Sequence, residues 1–123
     1  MVSTMTNAAV QGSDRTAILD AARVPVVAAL HKPVRFKVEQ IKTVDGWAFV
    51  YAEMQDDHGR PIDYAGTDLA DAAAHGAVSR SYAALLKRNA DGWTVVTQAI
   101  GPTDVAWADW PKSHGAPPAL FKD

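Results

Sequence analysis

Cysteine is absent from this chain of 123 residues. That excludes disulfides, a thiolate zinc site and a cysteine nucleophile. It leaves the compartment open, because a core of this size can do without disulfides in either redox setting. No apolar run approaches the roughly 18 residues of a membrane span, so no membrane insertion is expected. Charge of one sign is also lacking. Twelve basic residues stand against 14 acidic ones, dispersed along the chain, for a net charge of −2. With no basic stripe, nucleic acid is not expected as a partner. Gly-x-Ser-x-Gly, a Gly-rich phosphate loop and His-Glu-x-x-His are all missing. The sequence therefore calls for no cofactor, no catalytic metal and no recognisable catalytic residue. Residues 1–12 have neither a charged start nor an apolar stretch, and read as a disordered leader rather than a signal peptide.

What remains is 48% apolar, enough for one domain over residues 13–123. Its clearest signals are Val44-Asp45-Gly46-Trp47 and Ala90-Asp91-Gly92-Trp93. Each is an Asp-Gly pair running into a Trp-led apolar stretch, the strongest short-range mark of a hairpin. The segments around the two turns do not otherwise match, so they are two uses of one turn rather than a repeat.

Ser13 or Asp14 is a good N-cap. Ile18, Leu19, Ala22, Val26, Val27 and Leu30 follow at helical spacing. Pro25 should kink that helix or restart it, and Lys32-Pro33 ends it. Residues 34–43 then alternate, Val34, Phe36 and Val38 against Arg35, Lys37 and Glu39, and residues 47–55 answer them. A two-residue turn would pair Phe36 with Gln55 and Val38 with Glu53. A three-residue loop, Val44-Asp45-Gly46 with Gly46 left-handed, pairs Phe36 with Met54, Val38 with Ala52 and Lys37 with Glu53. The second register matches apolar with apolar and opposite charges with each other. It puts Phe36, Val38, Val50, Ala52 and Met54 on the core face, and Ile41, Trp47, Phe49 and Tyr51 on the other. The same loop over Ala90-Asp91-Gly92 pairs Leu86 with Val96 and Tyr82 with Ile100.

Residues 56–66 read as a polar loop and residues 67–75 as a short helix capped by Thr67, with Gly76 after its end. Beyond Gly101-Pro102, Thr103 should cap a last helical turn or two carrying Val105, Ala106, Trp107 and Trp110, stopped by Pro111. The apolar end, Ala116 to Phe121, should dock. The fold expected is α+β: an N-terminal helix on a curved antiparallel sheet of about four strands, with a short C-terminal helix and docked tail.

Several groups could carry function. Asp56, Asp57, His58 and Asp63 share one loop, but their spacing fits no metal motif and a solvated connection is expected. Asp104 is either part of a helix cap or an acid at the rim of a cavity. Trp107 and Trp110, at i and i+3, either stack a ligand or close the core. Tyr64, Tyr82, Asp63 and Asp104 could supply the carboxylate and proton donors of an isomerase-like site if they converged in one pocket. His31, His75 and His114 fall near helix C-termini, where a positive charge suits the dipole. Ile41, Trp47, Phe49 and Tyr51 form an aromatic patch, fit for a second copy or a protein partner unless the tail buries it.

A helix followed by antiparallel strands resembles the cystatin-like arrangement, shared with the nuclear-transport-factor-2-like group. Trp47-Ala48-Phe49-Val50, Ala84-Leu85-Leu86-Lys87-Arg88, Gly92-Trp93-Thr94-Val95-Val96 and Gly101-Pro102-Thr103-Asp104-Val105-Ala106-Trp107, with Trp110, Gly115 and Pro117, resemble a family of small uncharacterised proteobacterial proteins. The resemblance spans nearly everything after Asp14. It implies periplasmic or secreted relatives and carries no activity. The function expected is a non-enzymatic binding or self-associating domain that uses the aromatic sheet face. The alternatives are a small-ligand-binding or isomerase-like domain with a helix–sheet cavity, and an inhibitor or immunity-type protein on fold analogy.

Overall fold

One long helix, α1 (Gly12–Leu30), opens the computed structural model, which describes residues 12–121. All but the last residue of the leader expected over 1–12 lies outside the described residues. Ser13 and Asp14 stand within the helix, not at its cap. Ile18, Ala22, Val26 and Leu30, one every four residues, are buried. Burying each of the larger three contributes about 1.5–3 kcal/mol. That offsets the hydrogen bond missing at Pro25, through which the helix continues unbroken. Leu30 ends it as expected, with His31 left-handed at φ 57°.

Then follow β1 (Arg35–Val44), β2 (Trp47–Gln55), a short α2 (Ala70–Ala74), β3 (Ser81–Asn89) and β4 (Gly92–Ile100). The four strands make one antiparallel sheet in the order β1-β2-β3-β4. A five-residue α3 (Trp110–His114) and a 3₁₀ turn, Pro118–Phe121, complete the fold.

The hairpins reach the expected pairing by a different route. Phe36 faces Met54, Lys37 faces Glu53 and Val38 faces Ala52. The turn, however, has two residues, not three: Val44 pairs with Trp47. Asp45 at φ 51° and Gly46 at φ 81° supply the positive pair that a type I′ turn needs. A β-bulge at Glu39, between Val38 and Gln40, restores the register that the shorter turn would lose. Its second effect is to reverse the faces beyond it. Ile41 pairs with Val50 and packs on the helix side, so the placing of Ile41 with Trp47, Phe49 and Tyr51 is corrected. β3 and β4 also combine a two-residue turn with a bulge, but here neither turn residue has positive φ and only Gly92 after them does, at 137°. Asn89 pairs with Gly92 around Ala90 and Asp91, and Leu86 faces Val95, not Val96. Val96 is the extra residue, and beyond it Tyr82 faces Ile100 as expected.

The link from β2 to β3 is less open than its composition suggests. Ile62 and Tyr64 are buried in the helix-side core. Thr67 accepts from the Leu69 amide at 3.1 Å, but α2 itself starts only at Ala70. Its end is a Schellman motif, with Ala77 N–H on Ala72 O and Gly76 N–H on Ala73 O.

Replacing Gly46 or Gly92 with Ala should lower stability by about 1 kcal/mol or more, because both have positive φ, 81° and 137°. Urea unfolding checks this; unchanged midpoints in both variants would contradict the turn geometry.

Candidate functional site

The sheet is apolar on both faces. On the first, α1 packs over Val50, Ala52, Met54, Tyr82, Ala84 and Leu86. Tyr82, fully buried, donates to Gln98 Oε1 at 2.7 Å and reaches Ala22 O at 3.3 Å. Phe36 stacks on its ring, with centroids 4.9 Å apart. Tyr64 donates to Ser79 O at 2.5 Å. Burial pushes the pKa of both phenols above the ordinary tyrosine value. These are structural tyrosines whose hydroxyls are already committed.

The second face is covered by the C-terminal segment. Phe49 lies at its centre with 2% of its surface exposed. Trp107, Trp110 and Phe121 surround its ring at centroid distances of 5.7, 6.3 and 4.9 Å. Leu120 and Ala116 are buried beside them, against Ala83 and Leu85. Trp47, at the hairpin end, has the Lys87 ammonium 4.5 Å from its ring centroid. The tail thus docks, on the face that was a candidate for a partner.

The path by which it docks differs from the expected helix. Residues 103–105 form a bend and an irregular link and residues 106–109 a turn, with Ala106 N–H on Asp104 O and Ala108 N–H on Val105 O. Thr103 caps no helix. Pro111 lies in the first turn of α3 instead of ending it, and Asp109 precedes that helix without a side-chain cap bond. Trp107 and Trp110 therefore share no helix, but they do share Phe49.

The tail does not cover the whole face. It leaves a cleft of about 770 Å³, within the usual range for small-molecule sites. Phe49, Tyr51, Trp107 and Phe121 form its aromatic lining; Gln40, Ser79, Ser81, Thr103, Asp104 and Val105 bring its polar and outer edge. Tyr51 and Trp107 lie 5.1 Å apart, tilted by 55°. The Tyr51 hydroxyl donates to Ser81 Oγ at 3.2 Å, and Ser79 Oγ bonds Pro102 O at 2.5 Å. Gly101 brings this edge in closely: a side chain there would meet Ser79 O at 2.9 Å and the Tyr64 hydroxyl at 3.1 Å. Set against protein-family models, the curated proteins and the solved structures, the chain matches none.

The other candidates disperse. Asp104 lines the cleft, while Tyr64 and Tyr82 lie on the helix side. Asp63 is exposed, its Oδ1 accepting from Ala65 N–H. The four do not converge. Asp56 Oδ1 accepts from the Arg60 and His58 amides at 3.0 and 2.8 Å, which holds its carboxyl below the ordinary range. Among the described residues no three His, Asp or Glu side chains gather as a metal site. Nor is any described helix long and apolar enough to cross a membrane. His31, His75 and His114 do stand at the ends of α1, α2 and α3. Of the residues expected at a cavity, Asp104 and Trp107 line this cleft, and Tyr64, Tyr82 and Trp110 do not; Ser79, Ser81 and Gln40 carry no signal in the sequence, being polar residues brought in by topology alone.

Trp110→Ala should cost about 3–5 kcal/mol, the range for deleting a buried aromatic, read from urea unfolding. A loss below about 1 kcal/mol would mean the tail does not dock. The tyrosines set an alkaline limit. Their folded pKa values lie above the unfolded ones, so their contribution is full below about pH 10 and fades as pH rises beyond it. Tyr82→Phe should flatten the fall in unfolding midpoint above that pH, relative to the unmodified protein.

Proposed function

We propose that this chain is a binding domain whose ligand site is the aromatic cleft between the sheet and its C-terminal tail. The observation that carries this reading is the incomplete cover. The tail buries Phe49 but leaves Tyr51, Trp107 and Phe121 only part-buried around an open volume of about 770 Å³. Rings left half-wet beside hydroxyls and a carboxylate suit a small ligand with an apolar body and a polar end. The reading keeps the aromatic sheet face as the working surface. It moves the contact from a flat interface to a recess, since the tail already occupies the ground a second copy would use.

The test uses indole, a neutral planar probe. Titration followed by NMR should shift the amides of Tyr51, Ser81 and Thr103 and the Trp107 indole N–H. Val105 is 58% exposed at the cleft edge, so Val105→Trp should fold normally and block the shifts. Shifts confined to other surfaces, or unchanged in Val105→Trp, would overturn the proposal.

A further inference from the structure

Three aromatic rings elsewhere on the sheet are served by cations of the chain itself. Arg23 lies over Phe36 at 5.9 Å, Lys87 over Trp47 at 4.5 Å and Arg88 over Trp93 at 5.6 Å. Each cation is attracted by the negative face of its ring. The cleft is built from the same kind of rings but is lined, among the described residues, by no Lys, Arg or His. Its single charged lining residue is Asp104, an exposed carboxylate on the same rim. Tyr51, Trp107 and Phe121 remain part-buried, with surface left for a ligand. Aromatic faces and one carboxylate favour a cation and disfavour an anion.

We propose that the cleft takes a small organic cation, its alkylated ammonium head against Tyr51, Trp107 and Phe121 and beside the Asp104 carboxylate. An alkylated ammonium fits better than a bare one. It loses little hydration on entry and offers methyl groups to the rings, whereas a primary ammonium needs hydrogen-bond acceptors on all sides. The inference rests on the cleft being the ligand site.

The probes are choline, its uncharged carbon isostere 3,3-dimethyl-1-butanol, and the anion 3,3-dimethylbutanoate. All are titrated by NMR against the full chain and its Asp104→Asn variant. Choline should bind at least tenfold more tightly than the alcohol, and the anion least. The preference should shrink several-fold in Asp104→Asn and weaken with added salt. Equal affinities for choline and the alcohol, or a preference for the anion, would overturn the cation assignment while leaving the cleft as a site. A choline preference unchanged in Asp104→Asn would overturn the role of that carboxylate. If none of the three binds but indole does, the cation class alone fails; if indole fails as well, the cleft reading fails with it.

Discussion

A four-stranded sheet that is apolar on both faces has to be covered twice, and the described residues hold a single long helix with which to do it. The described segment after Ile100 answers that requirement. α1 closes the first face with its stripe of Ile18, Ala22, Val26 and Leu30. The second face carries Phe49, Ala83 and Leu85, which cannot be left in water without several kcal/mol of lost burial. The last twenty or so residues supply Trp107, Trp110, Leu120 and Phe121 for it. Four of the seven prolines fall in this segment, at positions 102, 111, 117 and 118. Their fixed φ lowers the entropy the segment loses on docking, which a tail with little regular structure needs more than a helix does.

That choice of cover has a geometric consequence. A helix lays a continuous ridge along a sheet. A sequence of turns, one five-residue helix and a 3₁₀ turn touches the sheet at separate points. Contacts gather around Phe49 and leave the ground between Tyr51, Trp107 and the Ser79–Ser81 edge unfilled. The cleft is where an irregular cover stops short. The helix side shows the contrast: its tyrosine hydroxyls are bonded, and no buried side-chain polar atom among the described residues lacks a partner.

The sequence made the fold class legible because period-two alternation and Asp-Gly turns are local signals. The four strands and the long helix are found within a residue or two of where the patterns put them. The bulges were not legible. Glu39 and Val96 each sit in an ordinary alternating run, and nothing in their chemistry marks them as the extra residue. The expected pairing of Phe36 with Met54 came from the right reason, matching apolar partners. Its supposed cause, a longer loop, was wrong; bulge and loop shift the register by the same single residue. Only the bulge carries Ile41 across to the helix side, so the error became visible there. The docking of the tail followed from its composition. Its path did not, because turns stabilised by contact with Phe49 leave no periodic trace.

The rings that hold the tail are also the rings that line the cleft. Phe49 touches Trp107 and Phe121, and Trp107 touches Tyr51. In the proposed reading, a ligand among them gains contacts only when the tail is docked, so binding and docking are linked, each favouring the other in equal measure. A binding site made from leftover surface on a rigid helix–sheet core would have no such coupling. Here the cover and the site are one structure, and the stability of the second face sets how well formed the site is. That places the weight of both the second face and the proposed site on Phe49, the ring that Trp107, Trp110 and Phe121 all meet.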